Sequence, residues 1–176
     1  VESAVNETDF DNGLKKESEL FPECLMHPQR EAMIHIFFGE RAAAKIDDVP
    51  RETQKQEIKK AAVIGSGTMG GGIAMCFANA GIPVHILDQD EDNLKRGIGV
   101  INKNYEMMVE RGRLKPEAKE FVTGLITSSL NYDDIHDVDI VVEAVYENID
   151  LKKKIFEQLD EVTKPETILA TNTSGL

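Results

Sequence analysis

Residues 60–88 read KAAVIGSGTMGGGIAMCFANAGIPVHILD, and the parts of a β-α-β unit follow one another along them. A short apolar strand is predicted at 61–64 and an apolar helix follows the glycines. A second strand, at 84–87, ends on Asp88. This acid follows the first glycine by 23 positions, where about 20 are expected in the dinucleotide-binding fingerprint.

Each glycine of the GxGxxG pattern has a mechanical reason. Gly65 permits the tight turn from strand to helix, and Gly67 lets the backbone approach a pyrophosphate. Gly70 lets the helix pack closely on the strand. The helix N-terminus then offers unpaired N–H groups and a partial positive charge to the phosphates. The predicted cofactor turn consists of Gly65, Ser66, Gly67, Thr68, Met69 and Gly70. An ordinary β-α-β unit with a glycine-rich turn is the alternative.

Asp88 favours NAD over NADP. A carboxylate at the end of the second strand accepts hydrogen bonds from ribose hydroxyls and repels a 2′-phosphate. Residues 89–92 are neutral or acidic, so no arginine directly follows to receive that phosphate.

Composition excludes several classes of function. The net charge of −12 over 176 residues argues against nucleic acid or an anionic membrane surface as a general partner. No apolar run is long enough for a membrane span. No metal site stands out, because the four histidines are scattered (His27, His35, His85 and His136) and none pairs with a cysteine at ligand spacing. Cys24 and Cys76 are expected to be free, buried thiols, which points to a reducing, intracellular compartment.

Beyond residue 60, predicted strands at 61–64, 84–87, 125–131, 139–145 and 167–171 alternate with helices, one of which is a long helix over about 91–112. This alternation predicts a Rossmann-type, doubly wound α/β fold with a mostly parallel sheet. Residues 13–45 are predicted to be helical in two parts, and 51–60 to form a polar linker. Residues 1–12 are predicted to be either poorly ordered or the remnant of an upstream segment. The expected domains are an N-terminal tail with a helical linker, 1–57, and a cofactor-binding domain, 58–176.

Three local patterns together resemble the NAD-binding domain of the 3-hydroxyacyl-CoA dehydrogenases of fatty-acid β-oxidation. They are VIGSGTMGGGIA at 63–74 with Asp88, DIVVEAVYENIDLKKKIF at 139–156, and ILATNTSGL at 168–176. Residues 13–45 also resemble the helices that end the enoyl-CoA hydratase half of multifunctional β-oxidation proteins. The resemblance therefore implies a slice through the middle of such an enzyme, with the hydratase half before it and a dehydrogenase C-terminal domain after it.

The resemblance implies oxidation of an (S)-3-hydroxyacyl-CoA to the 3-keto compound. In the family a His oriented by a Glu removes the hydroxyl proton while a hydride passes to the nicotinamide. Both residues would lie downstream of Ser174, so this chain by itself is expected to be catalytically incomplete, and none of its own histidines is assigned that role.

The resemblance also assigns three residues near the nicotinamide. Glu147 and Lys152 match cofactor-binding positions, and Ser174 matches a serine that contacts both the cofactor and the substrate hydroxyl. The alternative for the first two is a helix-start acid and a surface cation. Both strand ends that carry these residues are expected to face the crevice of the glycine turn.

Two other functions stay open at this stage. The chain could be a non-catalytic NAD-binding or crystallin-like structural relative, or a dehydrogenase of another β-hydroxy acid. Under the dehydrogenase hypothesis, the expected compartment is a peroxisome or mitochondrion in a eukaryote and the cytoplasm in a bacterium.

Overall fold

Five short parallel strands form one sheet in the larger of the two units into which contacts divide the chain, residues 56–176 and residues 1–55. The computed structural model describes residues 2–50 and 52–175. The strands are β1 (Ala61–Ile64), β2 (Val84–Leu87), β3 (Ile126–Ser129), β4 (Ile140–Glu143) and β5 (Ile168–Thr171). Their spatial order is β3-β2-β1-β4-β5, and every neighbouring pair is parallel. This topology confirms the predicted Rossmann-type, doubly wound α/β fold.

Helices cover both faces of this sheet, as buried parallel strands require. The helices of the chain are α1 (Glu2–Val5), α2 (Phe10–Met26), α3 (Pro28–Ala43), α4 (Thr68–Asn79), α5 (Glu91–Glu110), α6 (Pro116–Gly124) and α7 (Ile149–Val162), with a short 3₁₀ helix at Tyr132–Ile135. Helices α4, α5 and α6 share a core with one face of the sheet, while α7 and the 3₁₀ helix share a core with the other.

The central strand shows how the sequence builds these two cores. All four residues of β1 are buried, and successive side chains of a strand point to opposite faces. Ala61 and Val63 join the core under α4, whereas Ala62 and Ile64 join the core under α7. A continuous apolar run, rather than an alternating one, is therefore what this central position demands.

The smaller unit is more regular at its start than the sequence predicted. Residues 1–12 were expected to lack order, but α1 covers Glu2–Val5 and α2 begins at Phe10. Asp9 caps α2, since its side chain accepts a hydrogen bond of 2.9 Å from the Asn12 N–H. Gly13 lies against α1, because a Cβ at this position would come within 2.9 Å of the Ala4 carbonyl oxygen.

Three further expectations need correction. Cys24 and Cys76 are free but exposed. In α4 the buried residues are Gly70, Gly71, Ala74 and Ala78, and Cys76 falls on the opposite side of the helix. Strand β4 ends at Glu143, two residues earlier than predicted, and β3 is confined to Ile126–Ser129. Among the described residues, no helix is long and apolar enough to cross a membrane.

The strand register places the cofactor turn beside the other functional segments. Ile64 pairs with Leu87 on one side and with Glu143 on the other, and Glu143 pairs with Thr171. The residues that follow these four positions therefore leave the sheet along the same edge. The chain order reverses between β1 and β4, and open α/β sheets bind ligands at such a switch point, outside the carboxyl ends of the strands.

Candidate cofactor site

Gly65 makes the turn at the end of β1 in a conformation that side chains rarely adopt. Its φ is +101°, and a Cβ there would also meet the Ala144 carbonyl oxygen at 2.9 Å. Its N–H donates to the Leu87 carbonyl oxygen over 2.7 Å. Only glycine satisfies both the backbone angle and the close approach of the β4 end.

Gly70 and Gly67 have the contrasting surroundings expected of their two roles. A Cβ at Gly70 would lie 1.9 Å from the Gly65 carbonyl oxygen, so the helix can approach the turn only with glycine here. A Cβ at Gly67 would meet nothing within 4 Å. Gly67 is also the N-cap of α4, which has no side-chain cap and no acid in its first turn. The N-terminal N–H groups of α4 are thus left for an anionic ligand.

Asp88 is tied to the same turn. Its Oδ2 accepts the Ser66 N–H at 2.8 Å and the Ser66 hydroxyl at 2.5 Å. Its Oδ1 accepts the Gln89 N–H at 2.8 Å. Oδ1 also accepts the Asp90 N–H over a long 3.4 Å, and this weak hydrogen bond is the one that a ribose hydroxyl could displace. The link to Ser66 was not foreseen from the sequence.

A cleft of about 580 Å³ opens over this edge of the sheet. It takes residues from the turn, the β2 end, α5 and the segment after β4. Its lining includes Gly65, Ser66, Gly67, Thr68, Asp88, Gly97, Ala144 and Val145. Five predicted cofactor residues therefore meet in one cleft. Of the other two in the turn and its helix, Met69 is exposed and Gly70 is buried behind the turn.

Gly97 is a lining residue that sequence reasoning missed. It lies inside α5, and a Cβ there would come within 2.3 Å of the Ser66 carbonyl oxygen. Helix α5 therefore packs directly on the cofactor turn. The signal was available, because glycine inside an otherwise amphipathic helix disfavours the helix and usually has a packing reason.

A second depression, of about 390 Å³, lies by the ends of β4 and β5. Lys152 and Ser174 line it, together with Thr171, Thr173 and Phe156. The Thr173 hydroxyl donates to Glu147 over 2.7 Å, and Lys152 Nζ lies 3.6 Å from the same carboxylate. Glu147, Lys152 and Ser174 are thus grouped with one another, but they do not line the first cleft.

A buried ion pair underlies this second group. The Glu143 side chain is fully buried and that of Lys152 is 6% exposed, and Nζ lies 2.7 Å from Oε1 and 2.9 Å from Oε2. Burial alone would raise the pKa of the Glu143 carboxyl, but hydrogen bonds from Lys152, Thr171 and the Val145 N–H hold that pKa below its ordinary value. Lys152 is therefore not the surface cation of the alternative interpretation. The signal for Glu143 was an acid within an apolar strand.

The histidines lie away from both openings within the described residues. His85 is buried in β2, where its Nδ1 contacts the Thr127 hydroxyl at 2.8 Å and its Nε2 the Ser129 hydroxyl at 2.9 Å. Burial lowers the pKa of His85. His136 Nδ1 lies 2.8 Å from the Asp133 carbonyl oxygen. No group of three or more His, Cys, Asp or Glu residues in the described part of the chain could hold a metal ion.

These residues fit an extended dinucleotide. Gly65 and Gly70 leave no room for a side chain at the turn. The first turn of α4 is open to an anion, and the Asp88 carboxylate lies at the end of β2. Fold and cleft together define a dinucleotide-binding protein of the doubly wound α/β class.

Comparison with known proteins identifies the family. Residues 60–176 match the family described as "3-hydroxyacyl-CoA dehydrogenase, NAD binding domain". The chain belongs to this family, and the matched part is its NAD-binding domain, which confirms the cofactor predicted from Asp88 and the glycine turn.

Three relatives illustrate the match. A peroxisomal fatty acid beta-oxidation multifunctional protein of Arabidopsis thaliana is 37% identical over 94% of this chain. The fatty acid oxidation complex subunit alpha of Psychrobacter arcticus is 34% identical, also over 94%. The chain spans 23% of the length of each. The crystal structure of 3-hydroxybutyryl-CoA dehydrogenase from Escherichia coli K12 is 37% identical, with a TM-score of 0.67, over 69% of this chain and 26% of that one.

Proposed function

We propose that this chain is the NAD-binding portion of a larger dehydrogenase that oxidises (S)-3-hydroxyacyl-CoA to 3-ketoacyl-CoA in fatty-acid β-oxidation. The observation that carries the proposal is the cleft in which the glycine turn and Asp88 meet the end of β4, in a chain that belongs to the 3-hydroxyacyl-CoA dehydrogenase family.

The described residues divide the work of holding the cofactor. The N–H groups at the start of α4 bind the pyrophosphate, and Asp88 accepts from the adenosine ribose and excludes a 2′-phosphate. Bound NAD supplies a hydride acceptor for the C3 hydrogen of the substrate. The chain therefore binds and orients the cofactor, while a base elsewhere in the larger enzyme takes the proton of the substrate hydroxyl.

Glu147, Lys152 and Ser174 are proposed as the nicotinamide side of the site. Ser174 carries a hydroxyl at the open end of β5, where it can hydrogen-bond the 3-oxygen of an acyl-CoA substrate. Support comes from their grouping around the second depression, at the same sheet edge as the glycine turn. Two further residues complete the proposed cofactor turn. Met69 is exposed, and Gly70 lets α4 pack against the turn.

The wider protein is proposed to be multifunctional. The Arabidopsis thaliana and Psychrobacter arcticus relatives match 94% of this chain and are more than four times its length. Both are named for fatty-acid oxidation. We infer that residues 1–57 correspond to the end of a hydratase half, that 58–176 begin the dehydrogenase half, and that a further helical domain completes the acyl-CoA site. The names of plant and fish relatives support a peroxisome if the source is a eukaryote; a mitochondrion, or a bacterial cytoplasm, is the alternative.

Binding and turnover test the proposal separately. Titration of NADH into the 176-residue chain, followed by nicotinamide fluorescence, should give saturable binding. A longer form that includes the downstream domain should reduce acetoacetyl-CoA with NADH. Binding without turnover by the longer form would favour a non-catalytic relative, and no binding by either form would contradict the proposal.

A further inference from the structure

We propose that Glu143 is a positioning residue for the nicotinamide half of the cofactor site. It acts through Lys152, through the segment 144–147 and through Thr171. This inference rests on the proposed function, because it concerns how the same site is held in shape.

Four hydrogen bonds converge on the Glu143 carboxylate. Its Oε1 accepts from Lys152 Nζ at 2.7 Å and from the Val145 N–H at 2.7 Å. Its Oε2 accepts from Lys152 Nζ at 2.9 Å and from the Thr171 hydroxyl at 2.7 Å. Both oxygens are therefore satisfied, and the carboxylate joins β4 to the segment after it, to α7 and to β5.

Lys152 extends the same network toward the edge of the site. Its Nζ also lies 3.4 Å from the Val145 carbonyl oxygen and 3.6 Å from Glu147. Val145 is thus held at both its N–H and its carbonyl group, and it lines the first cleft. The network therefore holds one wall of the first cleft in place through Val145, and its members Lys152 and Thr171 also line the second depression.

The part of the cofactor that this wall faces follows from the sheet order. Asp88, at the end of β2, takes the adenosine ribose, and the turn after β1 takes the pyrophosphate. The β4 and β5 ends lie on the opposite side of β1 from β2. They are left for the nicotinamide half.

Loss of one partner leaves the other charged and buried. The Glu143 carboxyl is held in its ionised form by the contacts above, so removing it strands the Lys152 ammonium in a place that is 6% exposed. The ammonium must then move toward water or toward Glu147, and the segment that it holds moves with it. We expect the nicotinamide half of the site to lose its shape before the adenosine half does.

The experiment compares two ligands on the intact chain. NADH is titrated by nicotinamide fluorescence and AMP, which lacks the nicotinamide half, by calorimetry. Glu143→Gln should weaken NADH binding roughly tenfold, about the loss of one charged hydrogen bond, and should leave AMP binding within about twofold. A loss that is equal for both ligands, or an unchanged NADH affinity, would overturn the proposal.

The matched control is Asp139→Asn, which removes a carboxylate from the opposite, amino-terminal end of β4. Asp139, directly before β4, pairs with Lys164 at 2.7 Å, and it lines neither opening. This variant should bind NADH as tightly as the unmodified chain does. Both ligand titrations are made well below the temperature at which the variant unfolds. If Asp139→Asn weakened NADH binding as much as Glu143→Gln does, Glu143 would contribute only to general stability, and the proposal would be overturned.

A double-mutant cycle separates positioning from direct contact. Lys152→Met and the double variant Glu143→Gln/Lys152→Met should each lose about as much NADH affinity as Glu143→Gln alone, because the pair acts as one unit. Additive losses would contradict this.

A second variant serves if Glu143→Gln does not fold. Thr171→Val removes only one of the four hydrogen bonds and should weaken NADH binding severalfold but leave AMP binding unchanged. If the unmodified chain bound neither ligand, the proposed function itself would fail; unchanged NADH binding in the variants would defeat this inference alone.

Discussion

Asp88 faces the cleft and also accepts two hydrogen bonds from Ser66 with one carboxylate oxygen. The sequence predicted the first property from position alone, at the end of an apolar strand 23 residues after Gly65. The second property depends on how two strand ends lie beside each other, which spacing cannot reveal. Asp88 therefore contributes to the shape of the turn as well as to the choice of cofactor.

Asp88→Ala should reduce the preference of the chain for NAD over NADP. The variant loses the acceptor for the ribose hydroxyls and the charge that repels a 2′-phosphate, so we expect about tenfold weaker NAD binding and a smaller NAD/NADP ratio. Calorimetry with both dinucleotides measures the ratio. Asp92→Ala makes the same change of charge in the first turn of α5, away from the cleft lining, and should leave the ratio unaltered. Equal NADP and NAD affinities in the unmodified chain would refute the role of Asp88.

Ser174→Ala should lower turnover more than it weakens cofactor binding. In the proposed enzyme the main partner of this hydroxyl is the reacting oxygen of the substrate, so its removal acts mainly on kcat. We expect a loss of about tenfold or more in kcat with NAD affinity within about twofold, measured in a form that includes the downstream domain. Ser18→Ala in α2 provides a control hydroxyl in the other unit. A loss of NAD affinity that matches the loss of kcat would argue against this assignment.

At the scale of elements, the contact between α5 and the cofactor turn joins two parts of the site. Gly97 permits the contact because its missing Cβ would lie 2.3 Å from the Ser66 carbonyl oxygen. Sequence periodicity correctly predicted a long helix after Asp88, and it extends over Glu91–Glu110. Periodicity does not tell which residue of a helix approaches another backbone, so the role of Gly97 was missed.

Gly97→Ala should displace α5 or the turn. We expect a loss of about 1–3 kcal/mol in the free energy of unfolding, as for other substitutions that overpack a buried contact, together with weaker NADH binding. Gly99→Ala is a close control, because a Cβ at Gly99 would meet nothing within 4 Å and alanine favours a helix by about 0.5–1 kcal/mol over glycine. Urea unfolding and NADH titration measure both effects. A Gly97→Ala chain as stable as Gly99→Ala would show that the contact is unimportant.

The amino-terminal end of β4 has its own anchor, which should depend on pH. Asp139 accepts from the backbone N–H groups of Lys59 and Lys60 and pairs with Lys164. The Lys164 hydrogen bond, followed by that of Lys59, lowers the pKa of Asp139 to about 2 from an ordinary 3.8. Because the folded-state pKa is the lower one, the stabilisation is complete above about pH 4 and is lost as pH falls toward 2.

Asp139→Asn should therefore be less stable than the unmodified chain near neutral pH, and the difference should shrink between about pH 4 and pH 2. Urea midpoints of both chains, measured at several pH values across this window, give the difference directly. Residues 59–60 precede β1, so this anchor joins the start of the sheet to β4. A difference that stays constant down to pH 2 would show that the charge of Asp139 contributes nothing to it.

At the scale of the whole molecule, the order of elements was predictable and the edges of the site were not. The run 60–88 and the apolar strand before Glu147 are local patterns, so they predicted a parallel sheet with its ligand edge. The Glu143–Lys152 pair joins positions nine apart through burial that only the sheet and α7 together create. The helix at Glu2–Val5 was missed because its contact with Gly13 is tertiary.

The 176-residue chain should bind NADH but should not turn over 3-hydroxybutyryl-CoA with NAD. No histidine among the described residues lines either opening, and His85 has both ring nitrogens engaged by hydroxyls. Loss of a general base typically costs about 10²–10⁴-fold in rate. The absorbance at about 340 nm follows NADH formation at saturating NAD and tests this expectation. Robust turnover would mean that one of the four histidines acts as the base.

The contact between Gly65 and the Ala144 carbonyl oxygen has a consequence for the order in which the site is assembled. The complete glycine motif and Asp88 have been synthesised by residue 88, yet the wall that meets Gly65 is more than 50 residues further along the chain. Closing such a distant pair costs chain entropy that only the later strand can repay. A nascent chain that ends before β4 thus carries the full fingerprint with one side of its cleft missing. We therefore expect affinity for the dinucleotide to be acquired late in synthesis, when β4 joins β1.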